Sequence, residues 1–387
     1  MIQPSLQLQF ARTKQLDHRI TFTRNTGATY YDHKGRLSYA AAGEPRFDHD
    51  PATLASKGLL IEEARTNELT YSEQFDNAAW SKFQANVTPN AATAPDGTVT
   101  ADAYSVTVAY GGTIYNSATV SAETVYTFSF YAKGFVNYKL AVYDVSNATF
   151  IVQDAATTEV FIKDGWYRII YTFTTPTGCT SARVYPDRTG ANTGETIYLW
   201  GAQLEEGSYP TSYMPTTAAT FTRAADNYTS ATTDRAAESA VMTGSNFSEW
   251  YRQDEGTFVV EGDANSGTND VAFFTVDDGT GSNRIRAYRS AITLTSAAQI
   301  TVSGTSQFAS SSVISGDNKL ALAIKANDYA FTRNGAAPDA ETGITVPTVD
   351  LLRIGSSTAG GIICGHIKSL SFYPARLTDA QLQALTS

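Results

Sequence analysis

The chain contains the run Tyr126-Thr127-Phe128-Ser129-Phe130-Tyr131-Ala132 and, further on, the run Trp166-Tyr167-Arg168-Ile169-Ile170-Tyr171-Thr172-Phe173. Aromatic and β-branched residues favour the pleated, half-buried surface of a β-strand over a helix. Similar runs occupy residues 139–143, 181–185 and 196–200, with Gly, Asn, Asp and Pro between them. Short strands at this spacing, without intervening helical patterns, are typical of a β-sandwich. The sequence therefore predicts one sandwich over residues 71–215.

A second set of strand-like runs fills residues 246–387. These runs lie at residues 257–262, 271–276, 285–288, 319–324 and 329–332, and Asn334-Gly335 is a strong hairpin-turn signal. The end of the chain differs, because Thr378 and Gln381 have the spacing of a capping box. We therefore expect a second sandwich that ends in a short helix over residues 379–386.

Residues 1–70 form an entry segment that is predicted to dock onto something larger. Short alternating runs at residues 6–10 and 20–24 give way to a stretch without periodicity over residues 40–66. This segment contains apolar residues that need partners, namely Phe47, Leu54, Leu59, Leu60 and Ile61. A neighbouring subunit would supply such partners, so a homo-oligomer, with a trimer favoured, is expected. Removal of the segment should then leave two folded sandwiches. The rival interpretation is that residues 58–61 add an edge strand to the sandwich that follows.

Residues 216–245 are rich in Ala, Thr and Ser and are predicted to be a linker between the sandwiches. Just inside this stretch, Thr220-Phe221-Thr222-Arg223 repeats the earlier Thr21-Phe22-Thr23-Arg24. Two copies do not make a solenoid. The repeat is interpreted as one local strand that is used twice to pin a domain.

Composition and charge exclude several classes of function. The 387 residues include 22 Tyr, 19 Phe and 28 Gly, 42% are apolar, and the net charge is −10. Such a surface repels a phosphate backbone, so nucleic-acid binding is disfavoured. No apolar stretch is long enough to cross a bilayer, and residues 1–4 lack the features of a signal peptide. We therefore expect no membrane insertion and no export by a signal peptide.

Residue types that carry catalysis or bind zinc occur without the usual spacing. Four histidines, at positions 18, 33, 49 and 366, give no zinc motif, and Cys179 and Cys364 are interpreted as free core thiols rather than as a bridge or a metal site. Two adjacent carboxylate pairs occur, at residues 62–63 and 205–206. Neighbours on a strand point to opposite faces, so neither pair should converge on one bond. The sequence therefore predicts that the protein is not an enzyme.

One loop offers a candidate metal site. Asp277, Asp278 and Asn283 cluster their side-chain oxygens around Gly279 and Gly281, as a Ca²⁺ ligand set would. The spacing is not that of an EF-hand, and a plain polar hairpin loop is the alternative. No other cofactor is indicated.

The surplus of tyrosine suggests glycan binding. Sugars stack their apolar faces on aromatic rings while nearby polar groups bind the hydroxyls. The candidates near polar residues or glycine-rich turns are Tyr104, Tyr110, Tyr115 and Tyr143. The alternative is that these rings fill the sandwich core and its edges.

Several long stretches resemble a module of tailed-phage virion proteins of the head spike or head fibre type. They are residues 20–30, 42–51, 58–67, 71–80, 94–98, 200–207 and 213–215, so the resemblance covers about residues 5–228. Within it, residues 71–215 resemble a carbohydrate-binding-module jelly roll. That family often seats a structural calcium with an acidic pair in its last strand, but here Leu199-Trp200-Gly201-Ala202 provides no carboxylate. Residues 246–387 resemble a laminin-G or concanavalin-like sandwich, with residues 365–373 as its closing strand.

Together these features predict an all-β chain with two jelly-roll-type β-sandwiches behind an extended N-terminal β segment, and a short C-terminal helix. The resemblance implies a structural protein of the virion surface, assembled in the host cytoplasm. It would be a head decoration (cement) or spike-fibre protein that contacts other virion proteins and possesses weak affinity for host-surface glycans. The alternatives are a receptor-binding subunit of a tail fibre or baseplate and, third, a polysaccharide depolymerase.

Overall fold

The computed structural model describes residues 2–134, 139–227, 240–265, 270–291, 293, 295–313, 318–358 and 361–387. Nearly all regular structure in these ranges is antiparallel strand, which confirms the all-β prediction. The middle of the predicted linker, residues 228–239, lies outside the described residues. No helix in the described ranges has the length and apolar character needed to cross a membrane.

The strands and helices are as follows in chain order. The N-terminal region contains β1 Leu6–Leu8, α1 Phe10–Thr13, β2 Thr23–Arg24, β3 Ala28–Tyr31, β4 Leu37–Ala40, β5 Arg46–His49, β6 Ser56–Ile61 and β7 Arg65–Asn67. The next region contains β8 Ser81–Phe83, β9 Ala85–Ala92, β10 Ala101–Val106, β11 Thr113–Thr119, β12 Val125–Gly134, β13 Ala141–Asp144, β14 Thr149–Val152, β15 Thr158–Phe161, β16 Trp166–Thr174, β17 Ser181–Asp187, β18 Ile197–Glu206, β19 Phe221–Arg223 and β20 Asp226–Asn227. The last region contains β21 Ala240–Thr243, α2 Ser245–Ser248, β22 Glu255–Asn265, β23 Val271–Asp277, β24 Arg284–Arg289, β25 Thr295–Val302, β26 Thr305–Val313, β27 Asn318–Lys325, β28 Asp328–Arg333, β29 Asp339–Glu341, β30 Leu351–Ile354, β31 Cys364–Tyr373 and α3 Asp379–Thr386.

The first sandwich packs a six-stranded sheet, β15-β16-β12-β18-β10-β9, against a five-stranded sheet, β14-β13-β17-β11-β8. Phe128, Val184 and Leu204 lie in the core between the sheets. The outer face of the six-stranded sheet is covered as well, because Tyr131 and Trp200 pack there against Tyr213. The outer face of the five-stranded sheet has no such cover among the described residues, so this face meets solvent.

The second sandwich takes three strands from the N-terminal region. Its larger sheet has the order β29-β28-β27-β22-β31-β6-β5, and β1 pairs with β31 beside β6. The other sheet has the order β21-β30-β23-β24-β25-β26. Gly58 allows β6 to approach β31, because its φ is +91° and a Cβ there would lie 2.3 Å from the Ile367 carbonyl oxygen.

The prediction that residues 1–70 are a docking segment is therefore wrong for most of its apolar residues. Leu59, Leu60 and Ile61 are 0%, 6% and 2% exposed, Phe47 is half-buried against the same core, and only Leu54 is exposed. Their partners are the strands of the second sandwich, since Leu59 pairs with Ile367. The rival interpretation is also corrected, because β6 joins the second sandwich and not the one that follows it. These buried residues no longer motivate an oligomer.

The C-terminal helix has the predicted bounds. Thr378 caps α3, with its side chain accepting a hydrogen bond from the Gln381 amide while the Gln381 side chain accepts one from the Thr378 amide. Leu382 anchors the helix in a small apolar cluster with Ala321 and Leu377. Both cysteines are buried and unpaired, as predicted.

A buried ion cluster ties the N-terminal region to the segment that follows the first sandwich. Glu62 accepts hydrogen bonds from Arg46 Nη1 at 2.6 Å, from Ser212 Oγ at 2.6 Å and from Arg223 Nη1. The side chains of both arginines are 0% exposed. Burial alone would raise the pKa of Glu62, but the charges of Arg223 and Arg46 outweigh burial and hold this pKa well below its usual range. The carboxylate is therefore ionised at neutral pH.

His366 forms a second charged junction in the larger sheet of the second sandwich. Its Nε2 lies 2.9 Å from Asp48 Oδ2, and its Nδ1 lies 3.0 Å from Asp263 Oδ1. Burial would lower the pKa of His366, but the charges and hydrogen bonds of Asp263 and Asp48 raise it to about 9. The imidazole is therefore charged at neutral pH. It lines a cavity of about 240 Å³ that Lys57 and Arg168 also line.

We expect this junction to make stability depend on pH in the alkaline range. The folded protein holds the His366 proton to a pKa of about 9, whereas the unfolded chain releases it near 6.5. Protonation of His366 therefore contributes fully to the free energy of unfolding below pH 6.5. This contribution falls as the pH rises to about 9, and it is on the order of 3 kcal/mol at most. Thermal melting of wild type and His366→Gln between pH 6 and pH 10 measures it: the difference in Tm should shrink with rising pH. The exposed His33→Gln is the control, and a pH-independent difference for His366→Gln would contradict the prediction.

Candidate functional site

The solvent-facing side of the five-stranded sheet carries a group of aromatic and arginine side chains. Strand alternation creates it: Val142, Ala182 and Val184 point into the core, so the residues between them point outward. We call this group the aromatic–arginine face. Its members are Tyr115, Tyr143, Phe150, Arg183, Tyr185 and Arg188.

The rings of the aromatic–arginine face pack side by side across four strands. The centroids of Tyr115 and Tyr185 are 5.0 Å apart, and those of Tyr143 and Phe150 are 4.8 Å apart. Phe150 also lies 6.2 Å from Tyr185, which links the two pairs. Tyr185 is buried beneath its neighbours, whereas Tyr115, Tyr143 and Phe150 are half-buried. The result is a continuous apolar platform whose upper rings remain accessible.

Two guanidinium groups sit on this platform. The Arg183 Cζ atom lies 4.5 Å from the Tyr115 centroid and 5.6 Å from the Tyr143 centroid. The Arg188 Cζ atom lies 4.6 Å from the Phe150 centroid. These distances are within the range of cation–π attraction, which restrains each guanidinium over a ring. Among the residues that the structure describes, neither arginine forms an ion pair with a carboxylate.

The four tyrosines predicted to bind glycan have different environments. Tyr115 and Tyr143 come together on the aromatic–arginine face. Tyr110 is 60% exposed in the turn before β11, where its hydroxyl accepts a hydrogen bond from Asn192 Nδ2 at 2.8 Å. Tyr104 is 0% exposed in the core, so the packing alternative holds for it and its assignment as a glycan contact is corrected.

Sequence reasoning missed the arginines and Phe150. A signal for Arg183 was present in Ala182-Arg183-Val184-Tyr185, because a strand that buries Ala182 and Val184 must turn Arg183 and Tyr185 outward. Arg188 follows the end of β17 and had no comparable signal.

The candidate calcium loop is also corrected, because its carboxylates do not converge. Asp277 is 0% exposed and accepts a hydrogen bond from Arg353 Nε at 2.8 Å. Asp278 instead accepts hydrogen bonds from Thr280 Oγ1 and from Asn283 Nδ2, which close the hairpin loop. The side chains of the candidate ligands thus already form hydrogen bonds within the protein. Within the described ranges, no group of three or more His, Cys, Asp or Glu side chains is arranged to hold a metal ion.

The adjacent carboxylate pairs divide between interior and surface. Glu62 lies in the ion cluster, while Glu205 is fully buried and accepts hydrogen bonds from Thr211 Oγ1 at 2.7 Å and from the Thr211 amide at 2.9 Å. Glu63 is half-buried beside Arg65, and Glu206 is exposed. The members of each pair therefore have separate environments.

Comparison with known proteins finds similarity in structure. No family model matches the sequence, and the search of curated proteins finds no relative. Among solved structures, the chain is similar to the CBM40 of the Ruminococcus gnavus IT-sialidase bound to α2,6-sialyllactose, with 17% identity over 35% of this chain and 84% of that chain and a TM-score of 0.31. It is similar to the Trypanosoma rangeli sialidase in complex with the inhibitor DANA, with 12% identity over 39% and 26% of the two chains and a TM-score of 0.30. It is similar to the enzymatically active domain of tailspike protein 4 of bacteriophage CBA120, with 15% identity over 36% and 21% and a TM-score of 0.25.

These likenesses concern the β-sandwich fold alone, and they transfer no ligand or reaction. They do overturn one expectation. The sequence predicted that the protein is not an enzyme, yet the proteins of similar fold include a sialidase and an enzymatically active tailspike domain. A β-sandwich architecture accommodates both binding modules and enzymes, so fold class gives no ground for excluding catalysis. That prediction is withdrawn.

Proposed function

We propose that the chain is a glycan-binding protein displayed on the surface of a tailed-phage particle, as a head decoration or spike-fibre protein. The observation that supports glycan binding is the aromatic–arginine face, a platform of half-buried rings on the outer face of the five-stranded sheet. Rings of this kind offer a flat apolar surface to a sugar, and arginine donors beside them reach its oxygens.

Display on the virion is supported by the resemblance to head spike and head fibre proteins, which is carried by residues 20–30, 42–51, 58–67, 71–80, 94–98, 200–207 and 213–215. Attachment to other virion proteins and a homotrimeric state belong to the same proposal. A particle that carries many copies gains avidity, so weak binding of a host-surface glycan by each copy suffices for function. Antibody labelling of intact particles, imaged at low resolution, tests the display: absence of label from the particle surface would contradict it.

We expect Tyr115→Ala to reduce glycan binding about tenfold without unfolding the first sandwich. Tyr115 is half-buried and packs on Tyr185 at the surface of the sheet. Its ring can therefore stack on a bound sugar, while its removal costs little core stability. A glycan array reports binding, and thermal melting should give the same Tm within about 3 °C.

Tyr39→Ala is the matched control, since Tyr39 is 63% exposed on β4 and lies outside the aromatic–arginine face. Tyr143→Ala repeats the test on the neighbouring strand. Unchanged array signals for both face variants would remove this face as the binding site.

A further inference from the structure

The charge of the aromatic–arginine face indicates which glycans it takes. The chain has 38 acidic residues against 28 Lys and Arg. Several arginines elsewhere are held by carboxylates, namely Arg65 by Glu63, Arg333 by Asp339 and Arg376 by Asp328, whereas Arg168 and Arg284 form no ion pair among the described residues and donate to Ser129 and Gln299. What distinguishes Arg183 and Arg188 is that both lie over aromatic rings on one open sheet face of an acidic protein, with no carboxylate partner among the described residues.

Arg183 is the clearest case. It is half-buried on the central strand of the five-stranded sheet, and its Nε is buried without a hydrogen-bond partner among the described residues. The rings of Tyr115 and Tyr143 lie within 4.5 Å and 5.6 Å of its Cζ atom and restrain its plane. The described protein therefore supplies neither a carboxylate partner for the Arg183 guanidinium nor an acceptor for its Nε.

The chemistry of a restrained guanidinium fits one class of acceptor. Its N–H donors form a planar fork that matches the two oxygens of a carboxylate or phosphate. Arg183 is half-buried and its Cζ lies 4.5 Å from the Tyr115 centroid, so the guanidinium is held against a ring at the surface of the sheet. Arg188, over Phe150, places a second such group on the same face.

We propose that the aromatic–arginine face binds acidic saccharides, with the rings stacking on the sugar while Arg183 and Arg188 donate hydrogen bonds to its carboxylate or phosphate group. This inference rests on the proposed glycan-binding function and narrows it. Neutral sugars of the same shape bind less tightly, because they leave the guanidinium forks without an ionised partner.

Three probes test the proposal on the full chain: an oligogalacturonate, the same oligomer after carboxyl reduction, and a phosphomannan. Wild type should bind the oligogalacturonate or the phosphomannan at least about tenfold more tightly than the reduced oligomer. Preference for one of the two acidic probes identifies the anion. Arg183→Gln should abolish the preference, whereas Arg183→Lys, which keeps the charge but not the fork, should retain part of it.

Arg252→Gln is the control, because Arg252 is exposed in the second sandwich beside Asp254. Arg188→Gln provides an independent variant if Arg183→Gln does not fold. Equal binding of the acidic and neutral probes would overturn the acidic preference and leave glycan binding intact. Failure of wild type to bind all three probes and every member of a glycan array would overturn both proposals.

Discussion

Deleting residues 1–66 is expected to prevent the second sandwich from folding. The deletion removes β1, β5 and β6 from its larger sheet and takes six apolar side chains out of its core, namely Leu6, Leu8, Phe10, Ile20, Leu59 and Ile61. Burial of each such side chain contributes roughly 1.5–3 kcal/mol, so the total is comparable with the whole stability of a domain. It also leaves one edge of β31 without partners, and an open edge of this kind promotes aggregation.

Soluble yield, circular dichroism and cooperative melting of the truncated chain measure this effect. A matched deletion of residues 1–3, which precede β1 and include the exposed Ile2, should leave the melting curve nearly unchanged. A soluble truncated protein with a cooperative transition would mean that the N-terminal strands are dispensable and would restore their role as a docking segment.

Glu62→Gln is expected to cost about 3–5 kcal/mol in the free energy of unfolding. The substitution leaves Arg46 and Arg223 fully buried without their shared carboxylate. Removal of one partner of a buried ion pair is costly because the remaining charge stays buried without compensation. The substitution also replaces one carboxylate oxygen by an NH2 group, which turns one acceptor into a donor that faces the arginines. Chemical denaturation at neutral pH measures the loss.

Glu63→Gln is the control from the adjacent position. The Glu63 side chain is 36% exposed and pairs with Arg65 near the surface, where such pairs contribute at most about 1 kcal/mol. Equal stability of the two variants would show that Arg46 and Arg223 are satisfied by their other acceptors, the carbonyl oxygens of Thr29 and Glu63.

Local patterns predicted the strands well but not their partners. The runs at residues 126–132 and 166–173 pair with each other, and the capping box places α3, because these features depend on neighbouring residues. The pairing of Leu59 with Ile367 spans more than 300 residues. The residues of one strand do not indicate which distant strand will pair with it. The sequence therefore indicated that residues 58–61 need apolar partners and gave the wrong source for them.

For the candidate site as well, local patterns could be predicted from the sequence, whereas contacts between distant residues could not. Alternation indicates that Tyr104 and Tyr115 each occupy one face of a strand, but not which face the core covers, so one proved to be core and the other surface. The repeated Thr-Phe-Thr-Arg sequence was interpreted as a pin for a domain. Its two arginines, Arg24 and Arg223, are both buried, with Arg24 donating to the Ala41 carbonyl oxygen and Arg223 to Glu62. Burial of these charges depends on distant acceptors that local sequence does not reveal.

The pairing of β1 with β31 has a consequence for synthesis on the ribosome. Leu6 lies opposite Phe372, so the first strand cannot find its place until almost the entire chain has been translated. At roughly 5–20 residues per second, that interval is on the order of 20–70 s. The first sandwich completes its sheets from residues 81–206 and can fold during this time. Leu6, Leu8, Phe10, Leu59 and Ile61 meanwhile lack the strands that they pack against, and transiently exposed hydrophobic segments of this kind are the ones that chaperones bind.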